Sequence, residues 1–478
     1  MESRNWVGGE WITPKGGQVT VKNPSDLDET VGVAHFSLHE DMVEAGHAAR
    51  RALSAWAKRI APERGEILQR AAVLLEQQSE DIAQLASREM GKPITEMKGE
   101  VMRGVNLLRY YAAEGARAFG TVIPASQTQA LQYTKRVPLG VVGVITPWNF
   151  PVAIPIWKIA PALICGNTVV WKPAEIASLT ATRVTEVFAA AGLPAGVLNL
   201  VIGAGKDVGN TLLSDVELDG LSFTGSTATG MHVAAMAAQR NIKYQTEMGG
   251  KNAAVVLADA DLAVAVPAIL SGAFRSAGQK CTATSRVIVE SALFDAFSEA
   301  LGEGLKSVYL GLASDPKAYL GPVASADQYE KVTKFVQMAE QEAELVAKAT
   351  TDIDIARGHY VLPMVVTGVA QDHALVKEEV FGPLVTLLPA DDFDAALALC
   401  NDTMYGLSAS VFTQDLRKGL RFLDEAEVGM VRVNQETAGV EYQAPFGGMK
   451  MSSSHTREQG QASLDFYSQI KTCAVYYG

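Results

Sequence analysis

The sequence predicts an α/β protein made of two alternating strand and helix series, and three observations carry that reading. From Leu139 onward, LGVVGVIT, NTVVWKP, VLNLVIG and GLSFTGS are short apolar runs rich in β-branched residues, the pattern of strands covered on both faces. Between them lie ATRVTEVFAAAGL, KDVGNTLLS and TATGMHVAAMAAQ, which carry helical spacing, so the strands are expected to form a parallel sheet beneath helices. A second alternating series, from Ala253 to about Val433, includes AAVVLAD, RVIVESALFDAFSEALGEGL, PLVTLLPADDFDAALALCND and SASVFT. At 478 residues the chain exceeds what one core accommodates, which fits two such domains.

Taken in order, the opening segment with Gly8-Gly9 and Asn23-Pro24 reads as short strands and turns. From about His39 to Arg117 the apolar residues recur at helical spacing, with Gly91 as a stop signal. The last of these helices, GEVMRGVNLLRYYAAEGARAF, carries Arg103, Arg109 and Arg117; solvated arginines are the ordinary expectation, with one or two available to line an anion pocket. Thr121 to Pro138 reads as an extended excursion between prolines. The tail DFYSQIKTCAVYYG reads as a terminal strand, expected to pair with that excursion or with another subunit, because an unpaired strand invites association.

Composition narrows the function. Forty-one Lys and Arg against 53 Asp and Glu give a net charge of −12 with no basic run, which argues against a nucleic-acid partner. Cys165, Cys281, Cys400 and Cys473 are far apart and form no metal-ligand or disulfide spacing, so no metal is expected and a reducing compartment fits. No secretory pattern opens the chain, and the apolar region Val141 to Trp171 is broken by four prolines and carries Lys158 and Asn149. That region reads as a buried wall rather than a membrane helix, and a cytoplasmic protein is the expectation.

The chemistry gathers in the stretch from Tyr244 to Arg286. Glu247 precedes Met248-Gly249-Gly250, whose paired glycines allow a tight turn and leave the carboxylate uncovered. Cys281 follows Lys280, and a cation beside a thiol is expected to favour the thiolate, so the pair reads as a nucleophile with a possible base. Asn149, in TPWNFP at a strand end, offers an amide to a developing oxyanion or bonds its own backbone as a turn residue. The segment Gly203 to Gly209, which includes Gly205, matches the dinucleotide fingerprint poorly and is as consistent with a turn as with a phosphate loop. Thr224-Gly225-Ser226 opens a helix where N–H groups and hydroxyls suit a pyrophosphate, and Lys172 and Glu175 follow a strand at the place for an adenosine ribose. In EEVFGP, Glu379 and Phe381 taken singly read as a solvated acid and a core ring.

Together TPWNFP, WKPAE, FTGSTATG, EMGGKN, FRSAGQKC, EEVFGP and PFGG resemble the aldehyde dehydrogenase superfamily over nearly the whole chain. The resemblance implies that Cys281 attacks the aldehyde, Asn149 stabilises the oxyanion, Glu247 activates the hydrolytic water, and Lys158 and Glu458 relay protons. It places Thr146, Trp148, Lys172, Glu175, Gly205, Gly209, Thr224, Gly225, Ser226, Glu379 and Phe381 around the cofactor, with NAD expected over NADP because Glu175 repels a 2′-phosphate. It also implies a nucleotide-binding domain from residues 1–120 and 139–246, a catalytic domain from 247–464, and oligomerisation strands at 121–138 and 465–478 of a homodimer or homotetramer.

For the aldehyde, Arg275 in FRSAGQKC is expected either to meet a distal carboxylate or to be structural, and Trp157 and Phe150 are expected to line the pocket. Succinic semialdehyde dehydrogenases tend to carry a second arginine where this chain has Trp157, which weakens a match to that substrate. LRYYAAEGARAFGTVIP and EYQAPFGGMKMSSSHTREQG are most similar to the 2-oxoglutarate semialdehyde (2,5-dioxovalerate) dehydrogenases, which implies that semialdehyde as substrate. The alternatives are a broad aliphatic or aromatic aldehyde dehydrogenase, a succinic semialdehyde dehydrogenase, and, more remotely, a non-catalytic binding protein on the same fold.

Overall fold

The computed structural model describes residues 1–117 and 120–478. Four short strands open the chain, β1 (Asn5–Val7), β2 (Glu10–Ile12), β3 (Gln18–Asn23) and β4 (Asp26–His35), followed by the helices α1 (His39–Lys58), α2 (Ala61–Gln77), α3 (Ser79–Met90) and α4 (Ile94–Glu114). Gly91 ends α3 in the left-handed conformation at φ 74°, as the stop signal required. The sequence extends the last helix to Phe119; it is helical to Glu114, and Ala118 and Phe119 lie outside the described residues.

The excursion contains β5 (Val122–Ile123) and β6 (Ala130–Pro138), and then the first alternating series begins. It comprises β7 (Val141–Thr146), α5 (Ala153–Ile164), β8 (Thr168–Pro173), α6 (Ser178–Ala190), β9 (Leu198–Leu200), α7 (Asn210–Ser214), β10 (Gly220–Thr224), α8 (Thr227–Gln239) and β11 (Lys243–Glu247). The sheet order is β11-β10-β7-β8-β9-β1-β2, parallel from β11 to β9, with β1 and β2 adding an antiparallel edge. The apolar region read as a wall resolves into β7, α5 and β8. Every residue of α5 is buried, and its helical period is hidden because no face is polar. Pro155 sits in the first turn of α5, where its missing N–H costs nothing.

The second series holds β12 (Asn252–Val256), α9 (Leu262–Phe274), β13 (Thr284–Glu290), α10 (Phe294–Leu305), α11 (Ala326–Glu342), β14 (Glu344–Lys348), β15 (Met364–Thr367), α12 (Ala374–Lys377), β16 (Leu384–Ala390), α13 (Phe393–Asn401), β17 (Tyr405–Gly406), β18 (Ser408–Phe412), α14 (Leu416–Glu425), β19 (Met430–Val433) and β20 (Met449–Lys450). Its sheet runs β14-β15-β16-β13-β12-β18-β19 and is parallel except at β14. A short helix, α15 (Ala462–Phe466), leads to β21 (Ser468–Tyr476), which pairs antiparallel with β6 along its whole length, Ser468 opposite Pro138 and Tyr476 opposite Ala130. Among the described residues no helix is long and apolar enough to cross a membrane, and no group of three His, Cys, Asp or Glu is set to hold a metal.

Candidate active site

The parallel order brings the ends of distant strands to one edge. Glu247 is the last residue of β11, Asn149 follows β7, Thr224 ends β10, and Lys172 and Glu175 lie at the end of β8. This is the carboxyl edge of the sheet, where loops are free to present polar groups. The second sheet supplies Cys281 from the loop between α9 and β13.

That loop is strained. Ser276 and Ala277 both adopt left-handed φ, 55° and 54°, which side-chain-bearing residues hold only when neighbours over-determine them. Glu96, from the first turn of α4, provides the restraint: its carboxylate accepts the Ser276 N–H at 2.8 Å and the Ser276 hydroxyl at 2.7 Å. Gln279 adds two ties, donating to the Ser276 carbonyl at 3.1 Å and accepting from Ala324 N–H at 3.0 Å. The Asn149 amide donates to the Gln279 carbonyl at 2.9 Å, which joins the two loops beside the thiol.

Lys280 does not do what its adjacency to Cys281 predicts. Its ammonium points toward Glu96 at 3.9 Å, and the Cys281 thiol is pushed well above its ordinary pKa by burial, then by the charges of Glu379, Glu247 and Glu458. The thiolate therefore requires a base. Glu247 is 1% exposed and itself raised well above the carboxylate range, first by burial and then by Glu458. Its Oε2 accepts from Ser453 Oγ at 2.5 Å, while Oε1 has no hydrogen-bond partner. Lys158, fully buried on α5, donates to Ser222 Oγ at 2.9 Å and pairs with Glu458, whose other oxygen accepts Trp157 Nε1–H at 2.7 Å.

A cavity of about 170 Å³ opens onto Cys281. Phe150, Ile154, Trp157 and Phe446 form its apolar side, and Trp157 and Phe446 pack with centroids 5.4 Å apart. Glu96, Lys280, Glu436, Arg103 and Gln459 supply the polar part. Arg103 donates from Nη2 to Gln459 Oε1 at 3.0 Å, whereas its Nε and Gln459 Nε2 are buried donors without an acceptor.

Of the three arginines read on the last helix, of which Arg103 and Arg109 lie on α4 and Arg117 just beyond it, the structure brings Arg103 to the site. Arg109 pairs with Glu76 at 2.5 Å and Arg117 with Glu114 at 2.9 Å. Arg275 is a correction to the expected pocket: it is exposed, is not on the cavity wall, and stacks on the Tyr319 ring at 5.0 Å. It caps the end of α9, where the turn into the strained loop carries its side chain outward. Gln459, Glu96 and Ser453 escaped the sequence reading: Glu96 reads as an ordinary acid in the first turn of a helix, and polar residues of irregular segments such as Ser453 and Gln459 give no periodic signal.

The residues read as cofactor ligands also gather, and they suit a dinucleotide. Ser226 caps α8, accepting from Thr229 N–H at 3.3 Å, and the Thr224 hydroxyl is buried without a partner beside this helix N-terminus. Glu175 accepts Gly205 N–H at 2.7 Å, and a Cβ on Gly205 would stand 3.9 Å from both Glu175 and Lys172. Burial lowers the Lys172 pKa. A Cβ on Gly209, in a single wide helical turn, would meet nothing within 4 Å, and Gly225 lies against Phe223. Glu379 lies half-buried over the glycine pair, accepting Gly250 N–H at 2.9 Å, and a Cβ at Gly249 would meet its carboxylate at 2.4 Å. Phe381, at φ 58°, meets Trp148 edge to face at 5.6 Å. The Thr146 hydroxyl is occupied by Trp171 Nε1–H at 2.9 Å.

Known proteins match the chain over nearly its whole length. The model of the aldehyde dehydrogenase family matches residues 11–473. Over 475 residues the chain is 47% identical to the alpha-ketoglutaric semialdehyde dehydrogenase of Bacillus subtilis, covering 98% of this chain and 97% of that protein. It is 42% identical to the alpha-ketoglutarate semialdehyde dehydrogenase of Haloferax volcanii, covering 98% of each. The crystal structure of betaine aldehyde dehydrogenase from Staphylococcus aureus in complex with NAD+ matches with a TM-score of 0.95 at 33% identity, over 99% of this chain and 95% of that one. A match of sequence and fold from end to end leaves one assignment: the chain belongs to the aldehyde dehydrogenase family.

Proposed function

We propose that this enzyme oxidises 2-oxoglutarate semialdehyde to 2-oxoglutarate with NAD, using Cys281 as nucleophile, Glu247 as base and Asn149 as oxyanion donor. The observation that carries the substrate is the pair of buried donors without acceptors, Arg103 Nε and Gln459 Nε2, at the cavity onto which Cys281 opens. Each such group left unpaired costs about 1–3 kcal/mol, and a substrate carboxylate satisfies both. The names of the Bacillus subtilis and Haloferax volcanii relatives support the same substrate. A broad-specificity enzyme for uncharged aldehydes is the second reading, favoured by the apolar side formed by Phe150, Ile154, Trp157 and Phe446.

The raised thiol of Cys281 yields its proton to Glu247 as sulfur attacks the aldehyde carbon, giving a thiohemiacetal whose oxyanion Asn149 Nδ2 receives. Lys172, Glu175, Ser226, Thr224 and Glu379 would hold NAD, which when bound would supply the acceptor for the hydride that leaves that carbon and so leave a thioester on Cys281. Glu247 passes the thiol proton to the buried Lys158–Glu458 pair and, ionised again, takes a proton from the water that hydrolyses the thioester, which leaves by the same outlet. The Glu175 carboxylate disfavours a 2′-phosphate, hence NAD over NADP.

The test is reduced-cofactor formation from 2-oxoglutarate semialdehyde, succinic semialdehyde, hexanal and benzaldehyde, with NAD and NADP, on wild type, Cys281→Ala and Arg103→Met. Cys281→Ala is expected to be inactive. Arg103→Met is expected to lose about 10²-fold in kcat/KM for the semialdehydes, the worth of a charge-assisted pair, and under about threefold for hexanal. Equal losses would remove Arg103 from substrate recognition, and a preference for NADP would overturn the cofactor assignment.

A further inference from the structure

Three consecutive serines about two hundred residues further along the chain hold the end of β11, and one of them reaches the Glu247 carboxylate. Met451-Ser452-Ser453-Ser454 runs antiparallel to the end of β11, with Met248 N–H donating to Ser452 O at 2.7 Å and Ser454 N–H to Thr246 O at 2.9 Å. Each hydroxyl has its own task. Ser454 Oγ accepts Thr246 N–H at 2.8 Å; Ser452 Oγ accepts Gly406 N–H at 3.0 Å and donates to Gly249 O at 2.8 Å. Ser453 Oγ accepts Gly448 N–H at 2.6 Å and reaches Glu247 Oε2 at 2.5 Å.

The ionised form of Glu247 sets the polarity of that last contact: a carboxylate only accepts and the Gly448 amide only donates, so Gly448 N–H occupies a lone pair of the Ser453 oxygen and the hydroxyl proton goes to Glu247 Oε2. We propose that Ser453 is the positioning residue of the base: by accepting from Gly448 and donating to Glu247 Oε2, it fixes one rotamer of the carboxylate and leaves Oε1 for the attacking water. Oε1 has no other partner, and a Cβ on Gly447 would come within 2.9 Å of it.

Ser453 also biases protonation. Burial and the Glu458 charge push Glu247 toward its neutral form, whereas Ser453, Lys158 and Arg457 favour the anion, and the Cys281 thiol is the remaining titratable neighbour. A hydrogen bond to the ionised form lowers a carboxyl pKa, so removing it raises that pKa and moves the acid limb of the base-dependent step to higher pH.

This inference rests on the roles proposed above for Cys281 and Glu247. Its test separates acylation from deacylation with p-nitrophenyl acetate. The acetyl group passes to Cys281 Sγ as p-nitrophenolate leaves; water then adds to the thioester carbonyl, gives its proton to Glu247, and the C–S bond breaks to release acetate and the thiol. Burst and steady-state rates are measured from pH 5 to 9 on wild type, Ser453→Ala, Ser453→Thr and Glu247→Gln. Ser453→Ala is expected to slow the burst by no more than about threefold, because either oxygen of Glu247 can take the thiol proton, to slow steady-state turnover about tenfold near neutral pH, because water needs the fixed Oε1, and to shift its acid limb up by about one pH unit. Ser453→Thr, which retains the hydroxyl, is expected to restore both. An unchanged limb in Ser453→Ala overturns the proposal, as does an equal loss in burst and steady state, the mark of a merely structural lesion. Wild-type deacylation by Glu247→Gln would instead overturn the role of Glu247 itself, and Ser453 with it.

Discussion

Arg275 and Arg103 show what decides a residue's role at this site. Arg275 stands six positions before the nucleophile, so proximity in sequence recommends it for the substrate carboxylate. Its backbone, at the end of α9, sends the guanidinium to the surface and onto Tyr319. Arg103 stands 178 positions before Cys281 (281 − 103), on α4, and arrives on the cavity wall through packing. Arg275→Ala is therefore expected to change kcat/KM for 2-oxoglutarate semialdehyde by less than about threefold, within the scatter of surface substitutions. A loss for this aldehyde comparable to that of Arg103→Met would return Arg275 to the pocket.

At the scale of elements, the helices α4 and α5 support the surroundings of Cys281 and Glu247 although neither carries them. The first turn of α4 holds the strained Ser276-Ala277 turn through Glu96, and α5 carries Lys158 to Glu458, a buried pair 300 residues apart (458 − 158). Both contacts place charge in the interior, where it persists only when paired and hydrogen-bonded. Glu96→Ala leaves Ser276 N–H without its acceptor and releases the left-handed turn. Its expected effect is on kcat, down about tenfold, with KM for the aldehyde changed little, because the thiol is displaced while much of the cavity wall stays. Steady-state kinetics on a refolded, spectroscopically native variant checks this; an unchanged kcat would mean that Gln279 alone holds the loop.

For the whole molecule, β5, β6 and β21 form a sheet of their own that exposes Val122, Ile470, Val475 and Tyr476. We propose that this face meets a second copy of the chain, since an apolar strand surface of this kind is a liability in a monomer. Ile470→Asp is expected to reduce the mass measured by light scattering on a sizing column, whereas an unchanged mass in both proteins would place the interface elsewhere. The sequence by itself determined the class of fold, for identifiable reasons. Strand and helix patterns are local, so β7, β8, β10, β12, β16 and α8 were legible from a few residues each, and Glu247 and Cys281 stood out as candidates by the glycines near them. The helix α5 was not legible, since a segment buried all round has no amphipathic period. What only the tertiary structure decided is which polar groups meet: Arg103 with Gln459, Glu96 with Ser276, Ser453 with Glu247, and Lys280 turned away from Cys281 toward Glu96. Those pairings depend on how two sheets and their crossing segments pack, and no local pattern encodes a contact between residues hundreds of positions apart.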